Sequence, residues 1–200
     1  SLKVSNFDKE LIEAAKKLKI ISRHGVGYDN IDIGYAKKRN ITITITANAN
    51  AATVAEHVFF MMLNISKGNI LYDKCVREGN FLKREELRLT KELWKKNILI
   101  AGFGRIGKNL IKKCTGFDMN VFVYDPYVDE KIIESLGGKK IADFKKTITE
   151  MDYISLHMPL TKETKNFIDL KILNLMKKNA IIINTSRGGI INESDLDEAL

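Results

Sequence analysis

The 200-residue sequence predicts an α/β fold, a doubly wound parallel sheet preceded by part of a second, smaller unit. Three observations carry that reading. From residue 97 onward, short apolar runs alternate with helical patterns, and strands separated by helices pair in parallel through right-handed crossovers. The first of those runs opens into a glycine-rich turn, "AGFGRIG", which leads straight into an amphipathic stretch. The two prolines, Pro126 and Pro159, each closely follow a predicted strand, where the chain leaves the sheet and no ladder donor is needed.

The elements follow in chain order. Ser5 to Leu18 reads as a capped helix: Ser5-x-x-Asp8 resembles a capping box, and Leu11, Ala15 and Leu18 share a face. Lys19 to Arg23 is a short strand, followed by "HGVGYDNID", and Ile31 to Arg39 is a second short helix. "ITITIT" (41–46) alternates strictly; threonine is itself a strand former, so both faces of that strand are open to cover. A long helical stretch begins near Thr53, with Val54, Val58, Met61, Met62 and Ile65 at helical spacing and Gly68 as a break. Residues 80–95 are a polar, irregular connector. Strands are predicted at 97–101, 120–124, 153–156 and 180–184, and a last helix starts at Asn192, its cap, with Asp195 three residues on.

Composition narrows the functional classes. A hydrophobic fraction of 44% is ordinary for a globular chain. No apolar run approaches the ~20 residues that span a bilayer, and Val54 to Ile65 is interrupted by Glu56, His57 and Asn64. The net charge of +8 is spread in lysine pairs such as Lys16/Lys17 and Lys112/Lys113, without aromatics between them, so a nucleic-acid surface is not predicted. Cys75 and Cys114 have no metal or disulfide spacing and read as reduced packing residues, which places the protein in the cytoplasm. His24, His57 and His157 form no metal-ligand spacing, and no metal is predicted. The chain starts without Met and stops in "LDEAL", a helix in progress, so both ends are expected to be cut.

The glycine turn carries chemistry because of its context. Gly102-x-Gly104-x-x-Gly107 follows an apolar strand and opens a helix, and the next strand, "NVFVYD", ends in Asp125, 18 residues after Gly107. Gly102 permits the tight turn, Gly104 lets the backbone approach a pyrophosphate, and Gly107 lets helix and strand pack closely. Free N–H groups at the helix start face the phosphates. Asp125 suits the adenosine ribose and repels the extra phosphate of NADP, and no Arg follows it, so a Rossmann-type domain for NAD is predicted over residues 50–200, incomplete at its C-terminus. A second signal is "IIINTSRGG" (181–189), which sets Arg187 at the mouth of a buried strand with Gly188 and Gly189 clearing space beside it. A planar guanidinium grips a carboxylate in two bonds and keeps its charge.

"HGVGYDNID", "NAATVAEHV", "GFGRIG", "YDPY", "HMPLTKETKNFI" and "NTSRGG" resemble, in order and spacing, the D-isomer-specific 2-hydroxyacid dehydrogenases, most of all the phosphoglycerate dehydrogenase branch, with glyoxylate/hydroxypyruvate reductases close. The resemblance covers nearly the whole chain. It implies that residues 1–49 are part of a smaller flavodoxin-like substrate domain, and that the enzyme moves a hydride between NAD(H) and a small D-2-hydroxy acid or 2-oxo acid, such as 3-phosphoglycerate in serine biosynthesis. It implies that Arg105 and Ile106 give backbone contacts to pyrophosphate beside Gly102, Gly104 and Gly107. Asp125 takes the ribose, His157 and Pro159 flank the adenine side with Thr164 near it, and Thr185 and Ser186 approach the nicotinamide half. Arg187 matches the catalytic arginine, which also meets the cofactor and the substrate; Val26 and Gly27 match the loop whose backbone meets the substrate carboxylate, and Asn50 the hinge asparagine, also placed at the substrate. The family's Glu and His lie beyond Arg187, outside this window, so the fragment alone is expected to be inactive. Glu193 is not that glutamate. Ala47 and Asn48 stand where the family has Pro-Gly, and Lys95-Lys96 where it has Gly-Lys. Members are usually homodimers. The rival reading is a non-catalytic NAD(H) sensor of corepressor type on the same scaffold.

Overall fold

A computed structural model describes residues 6–80, 87 and 89–200. The chain forms two compact units, Ser1–Ala51 and Ala52–Leu200. In the first, α1 (Lys9–Ala14), β1 (Ile20–Arg23), α2 (Ile33–Lys38) and β2 (Thr42–Ile45) surround a small core of Ile12, Ile21, Ile31, Ala36 and Ile41, with β1 and β2 paired in parallel. Helix α1 is shorter than its pattern and turned by one position. Asp8 is its cap, accepting the Leu11 N–H at 3.0 Å, and Ile12 is buried while Leu11 is exposed. The expected cap Ser5 lies outside the described residues. In β2, Thr42 and Thr44 are exposed, so one face of the alternating strand is polar and open within this unit.

The division between the units falls after the first residue of α3 (Ala51–Lys67), which is followed by α4 (Asn69–Arg77). Gly68 separates them in the left-handed conformation, φ 60, which favours glycine. The buried stripe of α3 is Ala55, Val58, Phe59 and Met62; Ile65, counted with it by spacing, is 52% exposed. Of the predicted connector, residues 81–86 and 88 lie outside the described residues. After it come β3 (Asn97–Ala101), α5 (Arg105–Thr115), β4 (Asn120–Tyr124), α6 (Glu130–Ser135), β5 (Gly138–Lys140), α7 (Phe144–Ile148), β6 (Tyr153–Leu156), α8 (Leu170–Leu173), β7 (Ile181–Asn184) and α9 (Glu193–Ala199). β5, "GKK", carries no apolar signal and was not predicted; it is an edge strand held by pairing with β4.

All five strands of this sheet run parallel in the order β5-β4-β3-β6-β7. Strand β3 is central and dry on both sides. Ile98 and Ile100 join the core under α3 and α5, while Leu99 and Ala101 join the core with α7 and α8, all four without solvent exposure. That two-sided burial is why "ILIA" is uninterrupted rather than alternating. Each fully buried Leu or Ile contributes roughly 1.5–3 kcal/mol. From β3 the chain steps to β4 and β5 on one side, then crosses back to β6 and β7 on the other. The strand order therefore reverses between β3 and β6, and a crevice opens there at the carboxyl ends, where such sheets bind ligands.

Candidate dinucleotide-binding site

The turn after β3 lies at that switch point. Gly102 has φ 93 and donates its N–H to the Tyr124 carbonyl at the end of β4, 2.9 Å away. On its other side, a Cβ at Gly102 would lie 2.8 Å from both the carbonyl carbon and the oxygen of His157, so only glycine lets β3 and β6 diverge this closely. A Cβ at Gly107 would lie 2.7 Å from the Gly102 oxygen, which is the close helix–strand contact its spacing implies. Gly104 differs: a Cβ there would meet nothing within 4 Å. Its clearance faces open space rather than protein. Gly104 also caps α5 without any side-chain hydrogen bond, so the first amides of that helix, at Arg105, Ile106 and Gly107, have no side-chain cap of their own.

Asp125 is held rigidly. One carboxylate oxygen accepts the Phe103 N–H at 2.7 Å and the other accepts the Tyr127 N–H at 2.9 Å. The side chain thus locks the glycine turn to the end of β4, and its remaining lone pairs are left for a ligand. Gly102, Gly104, Asp125, His157, Pro159 and Thr164 together line a cleft of about 430 Å³. Thr164 shapes its rim: its hydroxyl donates to the Pro159 carbonyl at 2.6 Å and accepts the Thr161 N–H at 2.7 Å. Tyr124 and Phe167 also line it, backed by Phe144 through ring contacts of 4.8 to 5.9 Å. These aromatics, with Tyr127 and Met158, were not singled out from sequence, although "YDPY" and "HMPLTKETKNFI" contain all but Phe144.

His157 Nε2 meets the Ser155 hydroxyl at 2.8 Å, while Nδ1 is buried and has no partner among the described residues. Burial pushes the imidazole down to about 4. The unfolded chain takes up a proton near 6.5, which the folded chain refuses until about 4. Stability therefore falls as pH drops through that window, by up to about 3 kcal/mol, and is fully present above it. Urea unfolding at stepped pH should show this slope in the wild type and a flatter one in His157→Gln; equal slopes would exclude the imidazole as its source.

Thr185, Ser186 and Arg187 follow β7 on the same carboxyl edge but are not in the wall of the cleft. Asn184, missed from sequence, organises them. Its amide oxygen accepts the Ser186 N–H and hydroxyl at 3.0 and 2.7 Å, and its Nδ2 donates to the Arg187 carbonyl at 2.8 Å. The guanidinium Nη1 donates to the Ser186 carbonyl at 2.8 Å, and the Thr185 hydroxyl oxygen is buried without a partner among the described residues. Gly189 is needed for its φ of 78, a conformational reason beyond the clearance expected of it. Val26, Gly27 and Asn50 belong to the first unit. There Arg23 Nε donates to the Gly27 carbonyl at 2.8 Å, and the Thr46 hydroxyl accepts the Gly25 N–H at 2.7 Å, bracing the loop around Val26. His57 is exposed and stacked on Phe60. Both cysteines are buried, and burial pushes the Cys114 thiol up to about 12. Among the described residues, no cluster of three His, Cys, Asp or Glu side chains could hold a metal ion, and no helix is long and apolar enough to cross a membrane.

Residues 59–200 match the profile of the D-isomer specific 2-hydroxyacid dehydrogenase NAD-binding domain. The chain belongs to this family. It is 42% identical over 205 residues to a glyoxylate reductase of Thermococcus litoralis, covering all of this chain and 62% of that protein. It is 37% identical over 192 residues to a D-3-phosphoglycerate dehydrogenase of Methanocaldococcus jannaschii, covering 96% of this chain and 36% of that one. A solved D-lactate dehydrogenase from Aquifex aeolicus, complexed with NAD and lactic acid, superposes with a TM-score of 0.85 at 33% identity, over 97% of this chain and 57% of that one. The chain thus spans about three-fifths or less of the length of these relatives. Its second unit fits the family's NAD: the open side of Gly104, the amides opening α5 and the fixed carboxylate of Asp125 lie together where a dinucleotide needs them.

Proposed function

We propose that the full-length protein is an oxidoreductase that interconverts a short D-2-hydroxy acid and its 2-oxo acid with NAD(H). The observation that carries this reading is the turn at the sheet's switch point, with Asp125 fixed by Phe103 and Tyr127 beside an open Gly104, in a chain of this family. NAD supplies the hydride acceptor and donor at its nicotinamide. The chain's own residues do the rest of the work assigned to it. Asp125 takes the ribose, the amides of Arg105, Ile106 and Gly107 take the pyrophosphate, and His157, Pro159 and Thr164 flank the adenosine side. Thr185 and Ser186 serve the nicotinamide half. Arg187, with the backbone of Val26 and Gly27, fixes the substrate carboxylate, and Asn50 serves as the hinge between substrate and cofactor domains.

Glyoxylate and hydroxypyruvate take first place as substrates, since a glyoxylate reductase is the relative at 42% identity; 3-phosphoglycerate, and with it serine biosynthesis, takes second. NADH oxidation by the full-length protein against glyoxylate, hydroxypyruvate, pyruvate and phosphohydroxypyruvate ranks them by kcat/KM. Tight NADH binding with no turnover on any of the four would instead establish an NAD(H) sensor. A homodimer built through the second unit is supported by the apolar residues that α3 and α4 leave exposed, including Phe60, Ile70 and Val76. Light scattering on the same preparation should give twice the chain mass, and a monomer would remove the dimer. The buried free thiols support a cytoplasmic location, which cell fractionation tests.

A further inference from the structure

The cleft beside Gly102 carries two carboxylates, Asp125 and Glu163, and no lysine or arginine among its lining residues. The chain as a whole has 33 lysines and arginines against 25 acids, so this wall runs against the overall charge. His157, the remaining lining group able to become a cation, is kept neutral by burial at ordinary pH. We propose that Glu163 is a second specificity-determining residue for the cofactor, acting with Asp125 to exclude dinucleotides that carry a 2′-phosphate on the adenosine ribose. This rests on the reading of the cleft as the adenosine site.

Geometry and electrostatics support the assignment. Asp125 is pinned through both oxygens by the Phe103 and Tyr127 amides, so it cannot swing aside for an extra phosphate. Glu163 sits in the turn that Thr161 and Thr164 close on each other, the Thr161 N–H reaching the Thr164 hydroxyl at 2.7 Å and the Thr164 N–H reaching the Thr161 hydroxyl at 3.3 Å. The neighbouring Thr161 side chain holds the Glu163 carboxyl below the ordinary glutamate range. A cleft of about 430 Å³ is, if rounded, roughly 9 Å across, less than the Debye length of about 10 Å at 0.1 M salt. Within that distance both acids act on a 2′-phosphate bearing a charge of about −1.5 to −2. At such a range a single carboxylate is worth a factor of about three to five in affinity at low ionic strength. Each acid therefore adds selectivity, and losing one leaves the other.

The test is a fluorescence titration of the full-length protein with NADH and with NADPH, at about 20 mM and about 300 mM salt, read as the ratio of the two Kd values. Glu163→Gln should lower that preference for NADH about three- to fivefold at the lower salt and less at the higher. Glu163→Asp, which keeps the charge, should restore the wild-type ratio. Glu150→Gln, which removes an acid from the amino end of the sheet, should leave it unchanged. The proposal is overturned if Glu163→Gln keeps the wild-type ratio at both salts, or if Glu150→Gln shifts it equally. A wild type that binds neither dinucleotide overturns the cofactor reading beneath it as well, so the two failures are told apart.

Discussion

Arg187→Ala in the full-length protein is expected to cut kcat on the proposed 2-oxo acid substrate by about two to three orders of magnitude, the usual cost of removing one group that stabilises developing charge. NADH affinity should stay within about threefold, because the proposed dinucleotide site lies at the Gly102 turn and Asp125, in a cleft whose lining does not include Arg187. A 2-oxo acid presents a carboxylate and a carbonyl in one plane, which a guanidinium fork can engage in two bonds and a lysine cannot. Asn184 fixes the backbone that presents the fork by bonding Ser186 and the Arg187 carbonyl. Arg187→Lys should therefore recover only part of the rate. Stopped-flow NADH oxidation separates the terms, and an alanine variant that turns over like the wild type would remove Arg187 from the chemistry.

Much of this fold was legible because the second unit obeys rules that act locally. The strands at 97–101, 120–124 and 153–156 stand as predicted: β3 and β6 are apolar runs buried on both faces, and β4 alternates, with Val121 and Val123 buried between partly exposed neighbours. Asn192 caps the last helix through the Ser194 and Asp195 amides, a bond confined to three residues. The failures came where tertiary context decides. β5 is three residues of glycine and lysine that form a strand only because β4 offers an edge. Helix α1 ends at Ala14, short of the Ala15 and Leu18 of its expected stripe, and buries Ile12 rather than Leu11 against the core of Ile21, Ile31, Ala36 and Ile41. Ile65 keeps helical spacing with buried neighbours yet is exposed, since spacing specifies a stripe but not how far along the helix the cover extends.

The site divides along the same line. Gly102, Gly104, Gly107 and Asp125 could be named from spacing because each meets a backbone requirement inside one strand–turn–helix–strand unit. Asn184 and the aromatic backing of Tyr124 by Phe144 and Phe167 could not, because their roles depend on which side chains the crossovers deliver to one rim. The polarity of the Glu163 wall is of the latter kind, since it exists only once the loop after β6 is folded beside the end of β4.

Two alanine substitutions two residues apart should fail in opposite ways. Gly102→Ala is expected to lose about 3 kcal/mol or more, combining a positive φ that alanine resists with a Cβ jammed against backbone. The obstruction is the His157 carbonyl at 2.8 Å, and it cannot yield. The His157 N–H is tied to the Ala101 carbonyl at 2.7 Å, and the Gly102 N–H to Tyr124 at 2.9 Å, so relief would break the junction of β3, β4 and β6. For a chain of this size the melting temperature should fall by about 6–12 °C, and NADH binding should weaken with it. Gly104→Ala meets no protein atom within 4 Å and keeps an ordinary φ of −74. Its stability should change by less than about 1 kcal/mol, yet its methyl group enters the space through which the backbone approaches pyrophosphate, so NADH affinity should fall at least about tenfold in a fully folded protein. Differential scanning calorimetry beside a fluorescence titration separates the two. If Gly102→Ala melts with the wild type, the junction is not the constraint described; if Gly104→Ala binds NADH as the wild type does, the dinucleotide does not lie across this turn.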